Sequence, residues 1–523
     1  MGNIFNSIPL SKLKKSAFNL SHEVKLTAGF GQLTPFLVQP VIPGDIFKCS
    51  NTYLLRTMPL IAPIMHRVNV YMHYFFVPNR IVWNDWEDFI TGGEDGTAKP
   101  IFPRMYVDDP TRWVKGTLWD YLGYPVRNKN ESLAGNAANG PFYSVLPYRA
   151  FTQIYNDYYR DQNLQPELWN DKTSGITKIS QYSHLLPYRC WSKDYFTSSL
   201  PWTQRNAYEP TVPSVNTLSV GYQNRFSDRV YRVGTGDYAG GNLTAEEGEL
   251  TSDQVPVSVD NSSNLKIDGD ITFNINDLRT ASALQRWMEK SARVGSRYVE
   301  QLRGFFGVVS DDARLQRAEF LGGGRCPVSI GEIPQTSGTD STSDTAQGNL
   351  AGKGIAVNST PSFKRKFKEH GYIIGILSIM PKPSYQQGCP REYMKFSKFD
   401  FYFPEFDHLG EQPIYEREIF DSPKDVTSND KVFGYTPRYA EYRYNPNRVC
   451  GEFRDTLAFW HLGRSFANAP ALNASFITPK QELERLNSVF AVTDSSNSPF
   501  LLQILNDVKA IRPMSKYGTP KLL

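Results

Sequence analysis

Seven histidines (His22, His66, His73, His184, His370, His408 and His461) are the side chains best suited to hold a metal or pass a proton, yet no two stand at HxH or HxxxH spacing. The five cysteines (Cys49, Cys190, Cys326, Cys389 and Cys450) are far apart, odd in number and without a CxxC pair. That argues against a zinc site and a disulfide framework, and for a reducing compartment. A GxSxG elbow, a Walker loop and a GxGxxG turn are absent. Gly322-Gly323-Gly324 follows ARLQRAEFL and lacks the Lys-Ser/Thr that binds phosphate and magnesium, so it reads as a turn. The acidic pairs Asp108-Asp109 and Asp311-Asp312 are adjacent, and adjacent side chains diverge rather than flank one bond. No catalytic residue, metal ligand or cofactor is assigned.

Basic clusters are the stronger signal. Lys12, Lys14 and Lys15 sit in an N-terminal segment whose first 30 residues carry four basic charges against one acidic, which suits contact with a polyanion. FKRKFKE (363–369) places Lys364, Arg365, Lys366 and Lys368 around Phe363 and Phe367. That pattern either binds phosphate and stacks on a base, or keeps a strand edge soluble. Arg279, Arg286, Lys290, Arg293 and Arg297 recur at seven, four, three and four, which gathers five charges on one helix face, to meet phosphates or simply solvent. Aromatic residues form a second signal. Within LPYRAFTQIYNDYYRDQNLQPE (146–167), a helix brings Phe151, Ile154, Tyr155, Tyr158 and Tyr159 to one broad face. Such a face packs inside the protein or against another subunit, or it stacks on nucleotide bases.

These side chains need a scaffold. A chain of 523 residues with 35 Pro and 38 Gly, 40% hydrophobic and 13% aromatic, is folded and rich in turns and extended segments. Its 57 basic and 53 acidic residues give +4, so any electrostatic role is local. Strands are expected at 33–42, 68–78, 371–381 and 396–403, two ends of the chain that must be brought together in one core. A helix is expected from an N-cap at Asp277 to Gly304. Residues 207–270, with ten acidic against four basic side chains and a local charge of −6, and the low-complexity segment 335–360 are expected as surface loops. The N-terminus has no continuous apolar stretch, Asn6 breaks a myristoylation pattern, and the most apolar run, 371–381, is about half the length of a membrane helix.

Several stretches carry a resemblance when taken together in order: CWSKDYFTSSLPWTQR (190–205), GFFGVVSDDARLQRAEFLGGG (304–324), HGYIIGILSIMPKPSY (370–385), FGYTPRYAEYRYNPNRVCGEFR (433–454) and IRPMSKYGTP (511–520). With the opening segment they resemble the major capsid proteins of the Microviridae, small tailless phages with circular single-stranded DNA, in the gokushovirus-like branch. The resemblance implies a mainly β fold, an eight-stranded antiparallel viral jelly roll with long loop and helix insertions. It also implies sixty copies in a T=1 icosahedral shell around the genome, without enzymatic activity. The implied partners are further copies of the chain, single-stranded DNA, a small basic DNA-binding protein, a pilot protein and a host surface glycan or receptor. The chain then divides into a basic arm (1–30), a first part of the jelly roll with aromatic insertions (31–206), a surface insertion forming a threefold protrusion (207–270) and a remainder (271–523) holding the helix and further strands. In this frame Lys12, Lys14, Lys15, Lys364, Arg365, Lys366, Lys368, Arg279, Arg286 and Arg293 are candidates for DNA contact. Phe151, Tyr155, Tyr158, Tyr159, Trp191, Tyr195, Phe196 and Trp202 are candidates for packing or subunit contact. The competing reading is a carbohydrate-binding or carbohydrate-cleaving β-sandwich, with exposed aromatics as sugar platforms and a carboxylate pair drawn from distant segments.

Overall fold

The structure is a computed structural model that describes residues 14–126, 141–205, 275–294, 297–309, 311–334, 350–359, 362–422, 429–492 and 498–517, with six short strands between 219 and 268. Eight strands build two principal sheets: β1 (His22–Ala28), β2 (Thr34–Val41), β3 (Ile46–Thr57), β4 (Val68–Pro78), β5 (Glu319–Pro327), β6 (Leu350–Ser359), β7 (Gly371–Pro381) and β8 (Phe500–Arg512). Sheet one runs β1-β8-β3-β6 and sheet two runs β2-β7-β4-β5, with every pairing antiparallel. Short segments extend sheet one: Ser16–Asn19 continues along β8, Phe363–Lys366 continues along β3, and Ser329–Pro334 pairs with β6.

The residue pattern of each strand follows from which of its faces are covered. In β3 and β8 buried and exposed side chains alternate along almost the whole strand, because one face looks into the core and the other to solvent. In β7, GYIIGILSIMP, ten of eleven residues are buried, because sheet two is covered on both faces. Its inner face shares one core with sheet one, where Phe47, Tyr53, Leu55 and Ile504 join Met72, Tyr74, Phe76 and Leu377. Its outer face, with Phe75, Val77, Ile374 and Ile376, lies under a second apolar cluster built from residues 79–190, including Trp83, Trp113, Trp119, Tyr148 and Phe151.

Several expectations are corrected. FSKFDFYF (396–403) is not a strand: Asp400 Oδ2 accepts the backbone N–H groups of Phe396 (3.0 Å) and Ser397 (2.7 Å), and these local bonds close a short helical turn at Lys398–Asp400. The expected helix to Gly304 is two helices, Ile275–Val294 and Tyr298–Phe306, and Asp277 lies inside the first rather than at its N-cap. The intervening Gly295-Ser296 pair is a weak helix former. Of the segment 335–360, residues 350–359 form β6; 335–349 and 360 lie outside the described residues. Residues 204–293 form a compact unit of their own, in which Val230–Arg232, Leu243–Glu246, Glu249–Ser252 and Val255–Val259 share a sheet and Ser219–Tyr222 pairs with Leu265–Asp268.

Gly322-Gly323-Gly324, expected as a turn, lies within β5, with a register shift between Phe320 and Gly322. Gly323 sits opposite His73 of β4, and a Cβ there would stand 2.5 Å from the Met72 carbonyl oxygen. A carbonyl held inside a sheet cannot retreat. Gly323→Ala should therefore cost about 1–3 kcal/mol in a urea unfolding curve.

Candidate functional site

The aromatic face singled out in the sequence packs on sheet two. The helix Leu146–Ile154 opens on Pro147 and runs into a wider π-helical turn, Tyr155–Tyr159, closed by an Arg160 N–H bond to the Tyr155 carbonyl at 3.0 Å. Phe151, Ile154 and Tyr155 are buried. The Tyr158 ring lies between Phe75 (centroids 4.8 Å apart) and the Arg317 guanidinium (4.2 Å), and its hydroxyl sits 2.7 Å from the Ala318 carbonyl oxygen. Neither ring face is open to a base. The Tyr159 hydroxyl lies 2.8 Å from His73 Nδ1, and burial pulls the His73 pKa down to about 4. Asp157 accepts the Ala318 N–H at 2.9 Å, tying the π turn to the start of β5.

The other aromatic candidates belong to a region built mainly of loops. Trp191, Tyr195 and Phe196 are buried and Trp202 is half-buried. Arg464, fully buried, donates to Glu482 (2.8 Å) and the Phe476 carbonyl (2.7 Å), and stacks over the Phe476 ring at 4.2 Å. Tyr385 donates to Asp194 (2.7 Å), whose other oxygen caps the backbone N–H groups of Phe196 and Thr197. Glu418 accepts from Tyr195 (2.8 Å), Arg391 (3.1 Å) and the Tyr415 N–H (3.0 Å). Burial raises the pKa of both Glu418 and Glu482, and the paired arginines oppose that shift. With three donors on Glu418, these carboxylates are engaged structurally. Among the described residues no group of three or more His, Cys, Asp or Glu is placed to hold a metal.

The outer face of sheet one differs from that of sheet two. It presents Leu501, Leu505 and Val357 to solvent, together with Lys25, Lys48, Arg56, Lys364, Lys366 and Lys509. The fold brings two distant basic clusters to one end of this sheet. Lys366 pairs with Ile46, which on its other side pairs with Ile511. Ser16 pairs with Arg512, and Lys15 Nζ donates to the Gly44 carbonyl at 2.8 Å, so Lys14 and Lys15 arrive at the same edge. Lys12 lies outside the described residues. Phe363 and Phe367 are buried, packed on Tyr74 (5.2 Å) and Phe76 (4.6 Å), so neither is free to stack on a base. Arg365 pairs with Glu319, and Lys368 is exposed. Arg279, Arg286 and Arg293 are exposed on the helix Ile275–Val294. Arg297 lies beyond that helix, at the N-cap of Tyr298–Phe306, and donates to the carbonyls of Asn156 (2.8 Å) and Arg160 (3.0 Å). Lys48 and Lys509 were missed because they alternate with apolar residues, and only strand register reveals their neighbours.

A second open surface is aromatic. Tyr393, Phe396, Phe399, Phe401, Tyr402 and Tyr442 are exposed, Phe396 by 85%. Residues 391–411 carry five acidic and three basic side chains, so this platform is not a polyanion site.

The model of the family described as capsid protein (F protein) matches residues 6–522. Among curated proteins the chain is similar to capsid protein VP1 of Chlamydia phage 1, with 35% identity over 100% of this chain and 98% of that protein. It is similar to capsid protein VP1 of Bdellovibrio phage phiMH2K at 32% identity, covering 99% and 97%. Spiroplasma virus 4 capsid protein VP1 shares 31% identity, covering 99% and 96%.

Two outcomes follow from the buried polar groups. Arg464→Ala strands Glu482 without its partner and should destabilise by about 3–5 kcal/mol in urea, whereas Arg464→Met, which still fills space, should lose less. His73 has a folded pKa of about 4 against 6.5 for the free side chain, so the unfolded chain takes up the proton first. The stability contributed by the neutral ring is complete above pH 6.5 and falls away toward pH 4. Denaturation midpoints at pH 7 and 5 should differ less in His73→Gln than in the unaltered protein.

Proposed function

The chain belongs to the capsid protein (F protein) family of the Microviridae, and from that premise we propose that sixty copies close into a T=1 icosahedral shell around a circular single-stranded DNA genome. As a capsid protein it is a structural component of the virion. The fold is read as an eight-stranded viral jelly roll. The observation that carries this reading is the strand order, β1-β8-β3-β6 facing β2-β7-β4-β5, with long insertions confined to a few connections. The basic face of sheet one and the lysines of the arm suit the genome side. The acidic segment 207–270 suits the exterior, where contact with a host glycan or receptor is made. The small basic DNA-binding protein and the pilot protein are the remaining proposed partners.

Contacts between copies are assigned to the aromatic platform at 393–403 and Tyr442, since Phe151, Tyr155 and Tyr158 are consumed inside the subunit. Aromatic side chains mixed with both signs of charge characterise the buried centres and rims of protein interfaces.

Electron microscopy of the chain expressed with its neighbouring phage genes, with nuclease protection on the same fractions, tests the assignment. Closed uniform particles holding protected single-stranded DNA are expected, and soluble monomer alone would overturn it. Phe396→Glu combined with Phe399→Glu should leave circular dichroism unchanged and abolish particles. Normal particles from that variant would place the contact elsewhere.

A further inference from the structure

Strand register places three lysines in one row across sheet one. Lys364 lies directly opposite Lys48, and Lys48 lies directly opposite Lys509. All three are exposed, while the residues one step along, Phe363, Cys49 and Val508, are buried. The three ammonium groups therefore leave the same face. Like charges directly opposite each other on neighbouring strands destabilise a sheet. One acidic partner is close: Asp507 stands 3.7 Å from Lys509 Nζ, and at 63% and 44% side-chain exposure that pair is worth little. Among the described residues neither Lys48 nor Lys364 has an ion-pair partner.

An anion laid across the row would relieve that repulsion. Strands lie about 4.8 Å apart, so the row is about 10 Å long, and a single small anion cannot touch both of its ends. Lys366 extends the positive field toward the end of the sheet where Lys14 and Lys15 enter.

We propose that Lys364, Lys48 and Lys509 form a binding site for consecutive phosphates of a single DNA strand laid across β8, β3 and the edge segment Phe363–Lys366. This rests on the coat-protein reading, from which the single-stranded ligand is taken. Contact is with the backbone, so the site reads no sequence. Ile511, exposed two residues beyond Lys509 on the same face, offers an apolar floor beside the row.

The test is the salt dependence of binding to a fluorescent 20-nucleotide single strand. Three variants are compared with the unaltered protein: Lys48→Gln/Lys364→Gln/Lys509→Gln, Lys48→Gln alone, and a control, Lys115→Gln/Lys178→Gln/Lys480→Gln, at exposed lysines outside the sheet. Each lost phosphate contact reduces the slope of log K against log salt by about 0.7, so the row variant should lose about 2 and the single variant about a third of that. The control should keep the full slope. An unchanged slope in the row variant overturns the proposal, as does a control that loses as much. Inorganic phosphate should displace the oligonucleotide only when far in excess; displacement at matched phosphate concentration would mean an isolated-anion site and also overturn it. Microscopy of the same row variant separates the two readings. Closed particles with the slope lost support both, closed particles with the slope kept remove only the lysine site, and no particles from the unaltered protein removes the coat reading.

Discussion

The contact between the inner faces of the two sheets is the constraint on which the other features rest. Asn51 of β3 donates to the Met72 sulfur of β4 across that boundary at 3.3 Å, and Phe363 packs on Tyr74 with centroids 5.2 Å apart. Once these faces are joined, each sheet has one face left. Sheet two receives the tryptophans and tyrosines of the 79–190 insertion, and among the described residues of its compact unit sheet one receives no such cover. A subunit made this way has one sheet buried on both faces and one sheet with a charged open face.

The loop-built region shows another way of holding a chain in place. With few strands to satisfy its backbone, it buries Arg464, Glu482, Asp194, Tyr385 and Glu418, and uses their hydrogen bonds to pin turns together. Buried ion pairs add little net stability compared with apolar packing, but they penalise every arrangement that leaves one partner alone. Loops that must present a fixed surface gain from that penalty.

How much was legible in the sequence depended on the same asymmetry. The strands read in advance, 33–42, 68–78 and 371–381, all belong to sheet two, where burial on both faces writes continuous apolar runs. The central strands of sheet one, β3 and β8, went unread. Their outward positions hold Lys48, Arg56, Gln503 and Lys509, and alternation broken by polar residues resembles a loop. FSKFDFYF alternates as a strand should, but the Asp400 carboxylate captures its backbone locally, and no periodicity reports that. The lysines of the N-terminal segment and of FKRKFKE stood out by composition, whereas their common location depends on pairings between residues hundreds of positions apart. Lys48 and Lys509 carried no local signal at all.

β8 lies between β1 and β3, and its pairing with β1 joins residues as far apart as His22 and Asn506, 484 positions along the chain. Among the described residues β1 therefore has no neighbour in its sheet until translation has passed residue 500. Closing so large a loop is slow, and the waiting strands expose unpaired edges. A chain interrupted before β8 therefore cannot complete the sheet, and β1 is left with its backbone groups unpaired.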